Sequence, residues 1–135
     1  MRRVVIASHG RMAEGVKHTL DFITGGNFKI YAVCAYVDDT PLNKTIADLF
    51  SSFDENDEVV VLTDMISGSV NQEFVSYRNN NVFLIAGINI PLALAIVLQD
   101  DNTPLSYEIL NGIVEESKEQ IQLMNCVVCE MEGDE

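Results

Sequence analysis

Short apolar runs, each closed by polar or turn residues, set the rhythm of the chain. Val4-Val5-Ile6-Ala7 stops at Ser8-His9-Gly10, and Val59-Val60-Val61-Leu62 stops at Thr63-Asp64. Continuous apolar stretches of this length, rich in β-branched residues, are the pattern of strands buried on both faces. Between them, residues 29–37 alternate Ile30, Ala32, Cys34 and Tyr36 against Tyr31, Val33, Ala35 and Val37, which predicts a second strand. Val82-Phe83-Leu84-Ile85-Ala86 predicts a fourth, closed by Gly87-Ile88-Asn89-Ile90-Pro91.

Helical spacing fills the intervals. Ala13, Val16, Leu20 and Ile23 form one stripe, ended by Gly25-Gly26-Asn27. Leu42, Ile46, Leu49, Phe50 and Phe53 form another, with Thr40 as the expected N-cap and Pro41 at the first helical position. Further helices are predicted over 70–77, 91–98 and 106–124, the last burying Leu110, Ile113, Val114, Ile121 and Met124 on one face. A short strand over 126–131 and an acidic end complete the pattern. Strands alternating with helices predict an α/β fold: an open, mostly parallel sheet with right-handed crossovers and helices on both faces. With strand order 2-1-3-4, the switch point lies between the first and third strands, where ligands bind in such sheets.

Length and charge narrow the picture. A chain of 135 residues with no repeats and no linker is read as a single domain, and 47% hydrophobic residues suffice for a sizeable core. A formal net charge of -13 argues against nucleic acid and anionic membranes as partners and favours basic protein partners. The longest apolar stretch, 90–98, is far below the ~20 residues of a membrane span, and the N-terminus lacks the pattern of a signal peptide. A cytoplasmic location is expected. Cys34, Cys126 and Cys129 do not make a disulfide framework, and Cys126-Val127-Val128-Cys129 alone lacks two ligands of a zinc site.

The candidate chemistry lies at the switch point, where strand order 2-1-3-4 would bring His9 to Asp64. A carboxylate that accepts from one ring nitrogen fixes the tautomer and leaves the other nitrogen basic. Ser8 is no partner for His9, because neighbouring strand residues face opposite ways. A metal site would need more ligands, and His18 falls on the outer face of the first helix. Phosphoryl transfer to His9 itself remains, and Ser67-Gly68-Ser69 suits it: a turn between strand and helix offers N–H groups and hydroxyls to an anion. Gly10 lets the backbone turn and approach a ligand with no Cβ in the way.

These blocks, Val4-Val5-Ile6-Ala7-Ser8-His9-Gly10 with Ala13-Glu14-Gly15, Leu62-Thr63-Asp64 with Ser67-Gly68-Ser69, and Ala86-Gly87-Ile88-Asn89-Ile90-Pro91-Leu92, resemble the enzyme IIA component of mannose/fructose-type sugar phosphotransferase systems. The resemblance runs from about Arg3 to Met124. It implies that His9 accepts phosphate on Nε2 from the histidine-containing phosphocarrier protein and passes it to a IIB component, and through that to the membrane IIC/IID complex. It implies Asp64 as the residue orienting His9, and Gly68 and Ser69 as residues meeting the phosphoryl group; with Gly10 and Ser67, read from the turns themselves, they make the expected phosphate-binding set, and no cofactor or metal is expected. Ile66-Ser67 replaces the Trp-Gly of the best-known members, and Val70 replaces a proline. The Asn89-Ile90-Pro91 block reads as structural. Exchange of the terminal strand over 126–131 in a homodimer is the further implication. Two other functions fit the same residues: a IIA-like phosphoryl donor to dihydroxyacetone kinase, and a non-catalytic regulatory module on this fold.

Overall fold

The computed structural model describes residues 1–127. Its strands are β1 (Arg2–His9), β2 (Ile30–Ala35), β3 (Glu58–Thr63) and β4 (Val82–Ala86), all parallel, in spatial order β2-β1-β3-β4. The helices are α1 (Met12–Thr24), α2 (Leu42–Ser51), α3 (Ser69–Phe74), α4 (Ile90–Val97) and α5 (Tyr107–Lys118). The α/β fold and the 2-1-3-4 order are those expected from the pattern.

Strand alternation divides the core in two. Val4, Ile6, Val60 and Leu62 face α1, α4 and α5 through Val16, Leu20, Ala93, Ile96 and Leu110. Val5, Ala7, Val59 and Val61 face α2 and α3 through Ile46, Val70 and Phe74. Because β1 and β3 are central, their side chains are sealed on both faces, and each such Val or Ile contributes about 1.5–3 kcal/mol. The same alternation sends Ser8 toward α1 and His9 toward α3.

Several element ends differ from the sequence pattern, each for a local reason. The second strand stops at Ala35 rather than 37, because Tyr36 turns to a left-handed conformation with φ 66°. Thr40 does not cap α2: its N–H is taken by the Asp38 carboxylate at 2.9 Å, so it belongs to the preceding turn. Pro41, with extended ψ of 134°, holds the N-cap position, and its carbonyl accepts from Lys44 and Thr45. The helix expected over 70–77 is α3 followed by a 3₁₀ turn, Val75–Tyr77. The last long helix ends at Lys118, not at 124. There the Asn89 amide donates to the Ser117 carbonyl, and following N–H groups close onto carbonyls three residues back. Ile121 and Met124, expected on the buried face, are exposed. Cys126 lies in a 3₁₀ turn, Met124–Cys126, rather than in a strand. The rest of the expected strand and its exchange in a dimer, 128–131, lie outside the described residues, as does Cys129. Among the described residues no helix is long and apolar enough to cross a membrane.

The amino end of the sheet is held by a buried ion pair. Arg3 Nε donates to the Asp57 carboxylate at 2.7 Å, and the Arg3 guanidinium lies over the Phe53 ring, 4.7 Å from its centroid. Asp57 is only 6% exposed and also accepts from the Asp54 N–H and the Met1 ammonium. The Arg3 hydrogen bond leads these contacts, which together outweigh burial and hold the Asp57 carboxyl at about 2. A carboxylate with a depressed folded pKa stabilises the fold above its unfolded value and loses that contribution as pH falls toward the folded one. Asp57→Asn is therefore expected to cost about 2 kcal/mol in urea unfolding at pH 7. The gap between parent and variant should narrow as pH drops from 5 toward 2. A gap that stays constant with pH would show that the Asp57 charge contributes nothing.

Candidate active site

Parallel pairing of β1 with both β2 and β3 brings the carboxyl ends of all three strands to one level. His9 is in register with Ala35, and Gly10 continues the ladder by donating to the Ala35 carbonyl at 2.9 Å. On the other side Ala7 pairs with Thr63, and Asp64, the next residue, reaches His9 with its side chain. Gly10 takes φ 62°, a left-handed value that lets the chain leave the strand and enter α1. Ser8, on the opposite face, accepts the Ala13 N–H at 2.8 Å and so anchors the first turn of α1.

Asp64 grips His9 twice with one oxygen. Its Oδ2 accepts the His9 backbone N–H at 2.9 Å and meets Nδ1 of the ring at 2.8 Å. Its Oδ1 accepts the Met65 N–H at 3.0 Å. Burial pushes the Asp64 carboxyl up, but the donors from His9 outweigh it and hold the group below the usual carboxylate value. An ionised Asp64 accepts only, so Nδ1 must carry the proton in neutral His9. Nε2 is left with its lone pair, on a side chain 37% exposed.

The turn from β3 into α3 closes over the ring. Buried Asn71 accepts from the Thr63 hydroxyl at 2.8 Å and donates to the Ile66 carbonyl at 3.3 Å, tying the turn to both of its flanking elements. Gly68 packs so closely that a Cβ there would lie 3.0 Å from His9 Cε1 and 3.2 Å from Met65 Cγ. Its lack of a side chain thus eases a close approach and answers no demand of backbone angle. Ser69 Oγ then sits 3.4 Å from Nε2. The first N–H groups of α3 have no partner within the helix, which makes this edge electropositive.

Among the residues singled out from sequence, His9, Asp64, Gly68 and Ser69 converge, and Gly10 supports them from the backbone. Ser67 is exposed in the same turn. The nearby Arg11 guanidinium pairs with Glu14 at 3.4 Å, with both side chains exposed. His18 is exposed on α1, as the helical spacing implied. Asn89 caps α4 by accepting the Leu92 N–H at 2.8 Å, so the Asn89-Ile90-Pro91 block is structural.

Tyr36 is the site residue that sequence reasoning missed. Its hydroxyl is 2.6 Å from Ser69 Oγ, and its ring lies against His9 with centroids 5.6 Å apart. Among the described residues it is the non-glycine residue with positive φ, a conformation that costs about 1–2 kcal/mol. Its signal in the sequence is faint: an aromatic just before Asp38-Asp39, at the end of the strand beside His9.

Comparison with known proteins decides the family. A family model described as the PTS system fructose IIA component matches residues 3–114. The chain belongs to the fructose/mannose family of PTS IIA components. It is 31% identical to a putative phosphoenolpyruvate-dependent sugar PTS permease from Klebsiella pneumoniae subsp. pneumoniae, covering 95% of this chain and 94% of that one, with a TM-score of 0.82. The fold is shared with the PTS IIA protein associated with the fucose utilization operon of Streptococcus pneumoniae, at 23% identity, 92% and 93% coverage and a TM-score of 0.76. It is also shared with the mannose/sorbose specific IIA subunit of Enterococcus faecalis, at 18% identity, 90% and 93% coverage and a TM-score of 0.70. Membership places this IIA chain in phosphoryl transfer for sugar uptake.

The double grip on His9 in this IIA component has a direct spectroscopic consequence. The Asp64 carboxyl carbon, followed by NMR, should titrate below 3.8 in the parent protein. In His9→Ala the backbone N–H remains but the ring donor is gone, so the midpoint should rise. An unchanged midpoint would mean that the imidazole does not bond the carboxylate in solution.

Proposed function

We propose that this IIA component is a cytoplasmic phosphohistidine carrier with His9 as the acceptor. Nε2 attacks the phosphorus of the phosphohistidine on the histidine-containing phosphocarrier protein. The new N–P bond forms as the donor's N–P bond breaks, and the electron pair returns to the donor imidazole. In the second half the same group passes from His9 to a nucleophile on a IIB component, and through it serves the membrane IIC/IID complex.

The observation that carries this reading is the Nδ1 bond to Asp64, which leaves Nε2 as the free nucleophilic atom beside Ser69. As Nε2 gains its bond to phosphorus the ring becomes cationic, and the Asp64 carboxylate stabilises that charge. The Ser69 hydroxyl and the unpartnered N–H groups at the start of α3 face the phosphoryl oxygens, with the Ser67 hydroxyl at the rim. Gly10 and Gly68 keep side chains out of the space the group must enter. The formal charge of -13 suits a basic face on the phosphocarrier, raising its encounter rate.

Incubation with phosphoenolpyruvate, enzyme I and the phosphocarrier, read by intact mass, tests the assignment. One phosphate should appear on the parent protein and none on His9→Ala. A phosphate on the alanine variant would overturn it.

A further inference from the structure

We propose that Tyr36 is a positioning residue for phosphoryl transfer, acting through Ser69. This rests on the phosphohistidine reading of His9 and adds to it a residue outside the histidine, aspartate and turn already assigned. Counting protons along the chain of contacts gives the direction of each bond. Asp64 is ionised, so Nδ1 carries the ring proton and Nε2 accepts. Ser69 has one hydroxyl proton, and only Ser69 can donate across its contact with Nε2. With the Ser69 proton directed at Nε2, the 2.6 Å contact with Tyr36 is made by the tyrosine O–H donating to Ser69 Oγ. The relay runs from Tyr36 to Ser69 to Nε2.

Such a relay does two things. Donation from Tyr36 occupies a lone pair of Ser69 Oγ and polarises its O–H, strengthening what Ser69 can give. It also holds the Ser69 hydroxyl beside Nε2, so that when phosphorus takes the Nε2 lone pair the O–H turns to the adjoining phosphoryl oxygens. A donor already held beside developing charge needs little reorganisation at the moment of transfer.

The backbone supports this independently. Tyr36 holds its left-handed conformation at the end of β2 without being glycine, and strain of that kind persists only where surrounding contacts impose it. Here the contacts are the His9 ring and Ser69, while the tyrosine is 62% exposed and fills no core position.

The test is a double-mutant cycle on phosphoryl transfer from the phosphorylated phosphocarrier. Tyr36→Phe keeps the ring on His9 and removes only the O–H. It should leave KM for the donor within about twofold and lower kcat about tenfold, since one indirect donor is lost. Ser69→Ala should fall further, and Tyr36→Phe combined with Ser69→Ala should be no slower than Ser69→Ala alone, because the tyrosine acts through the serine. A parental kcat in Tyr36→Phe, or losses that multiply in the double variant, would overturn the proposal while leaving His9 as acceptor. A parent protein that takes no phosphate would overturn the carrier reading itself, and the relay with it.

Discussion

The site depends on one oxygen of Asp64. By accepting both the backbone N–H and the Nδ1 proton of His9, it fixes where the residue sits and which ring nitrogen is free. The grip is possible because β1 and β3 are adjacent and parallel, with Asp64 one residue past the last paired position. Sealing both faces of those strands keeps that spacing from drifting. The core therefore acts on chemistry through register, and the two apolar clusters matter to the site because they hold it.

Around that pair, the turn between β3 and α3 is fitted by exclusion as much as by attraction. Gly68 lets the backbone pass His9 Cε1 where a Cβ would be tightly pressed against the ring, and Asn71 ties the turn to β3. Ser69 and Tyr36 then close the side of Nε2 that the aspartate does not reach. Each contact limits imidazole rotation, so the ring keeps Nε2 on the side away from Asp64.

Much of this was legible in the sequence, and what was not has a physical reason. His9 and Asp64 stand out because continuous apolar strands rarely end in groups with such chemistry, and parallel topology makes their ends meet. Tyr36 was hidden because its type favours a strand, and nothing local announces a left-handed turn without glycine or asparagine. The end of α5 was hidden because it is set by Asn89, a residue 28 positions away from Ser117 in the chain. Thr40 misled because Pro41 takes the N-cap position, leaving Thr40 in the preceding turn with its N–H on the Asp38 carboxylate. Gly68 was visible as a glycine, but the reason for it is a contact with His9 that only the folded chain brings about.

The central claim is that Asp64 selects the nitrogen that reacts. The most direct measurement is nitrogen-15 NMR of the His9 ring before and after phosphorylation. The account predicts a neutral ring protonated on Nδ1, and a phosphoryl group on Nε2 with Nδ1 still bonded to the carboxylate. A phosphoryl group on Nδ1, or a resting ring protonated on Nε2 instead, would contradict it.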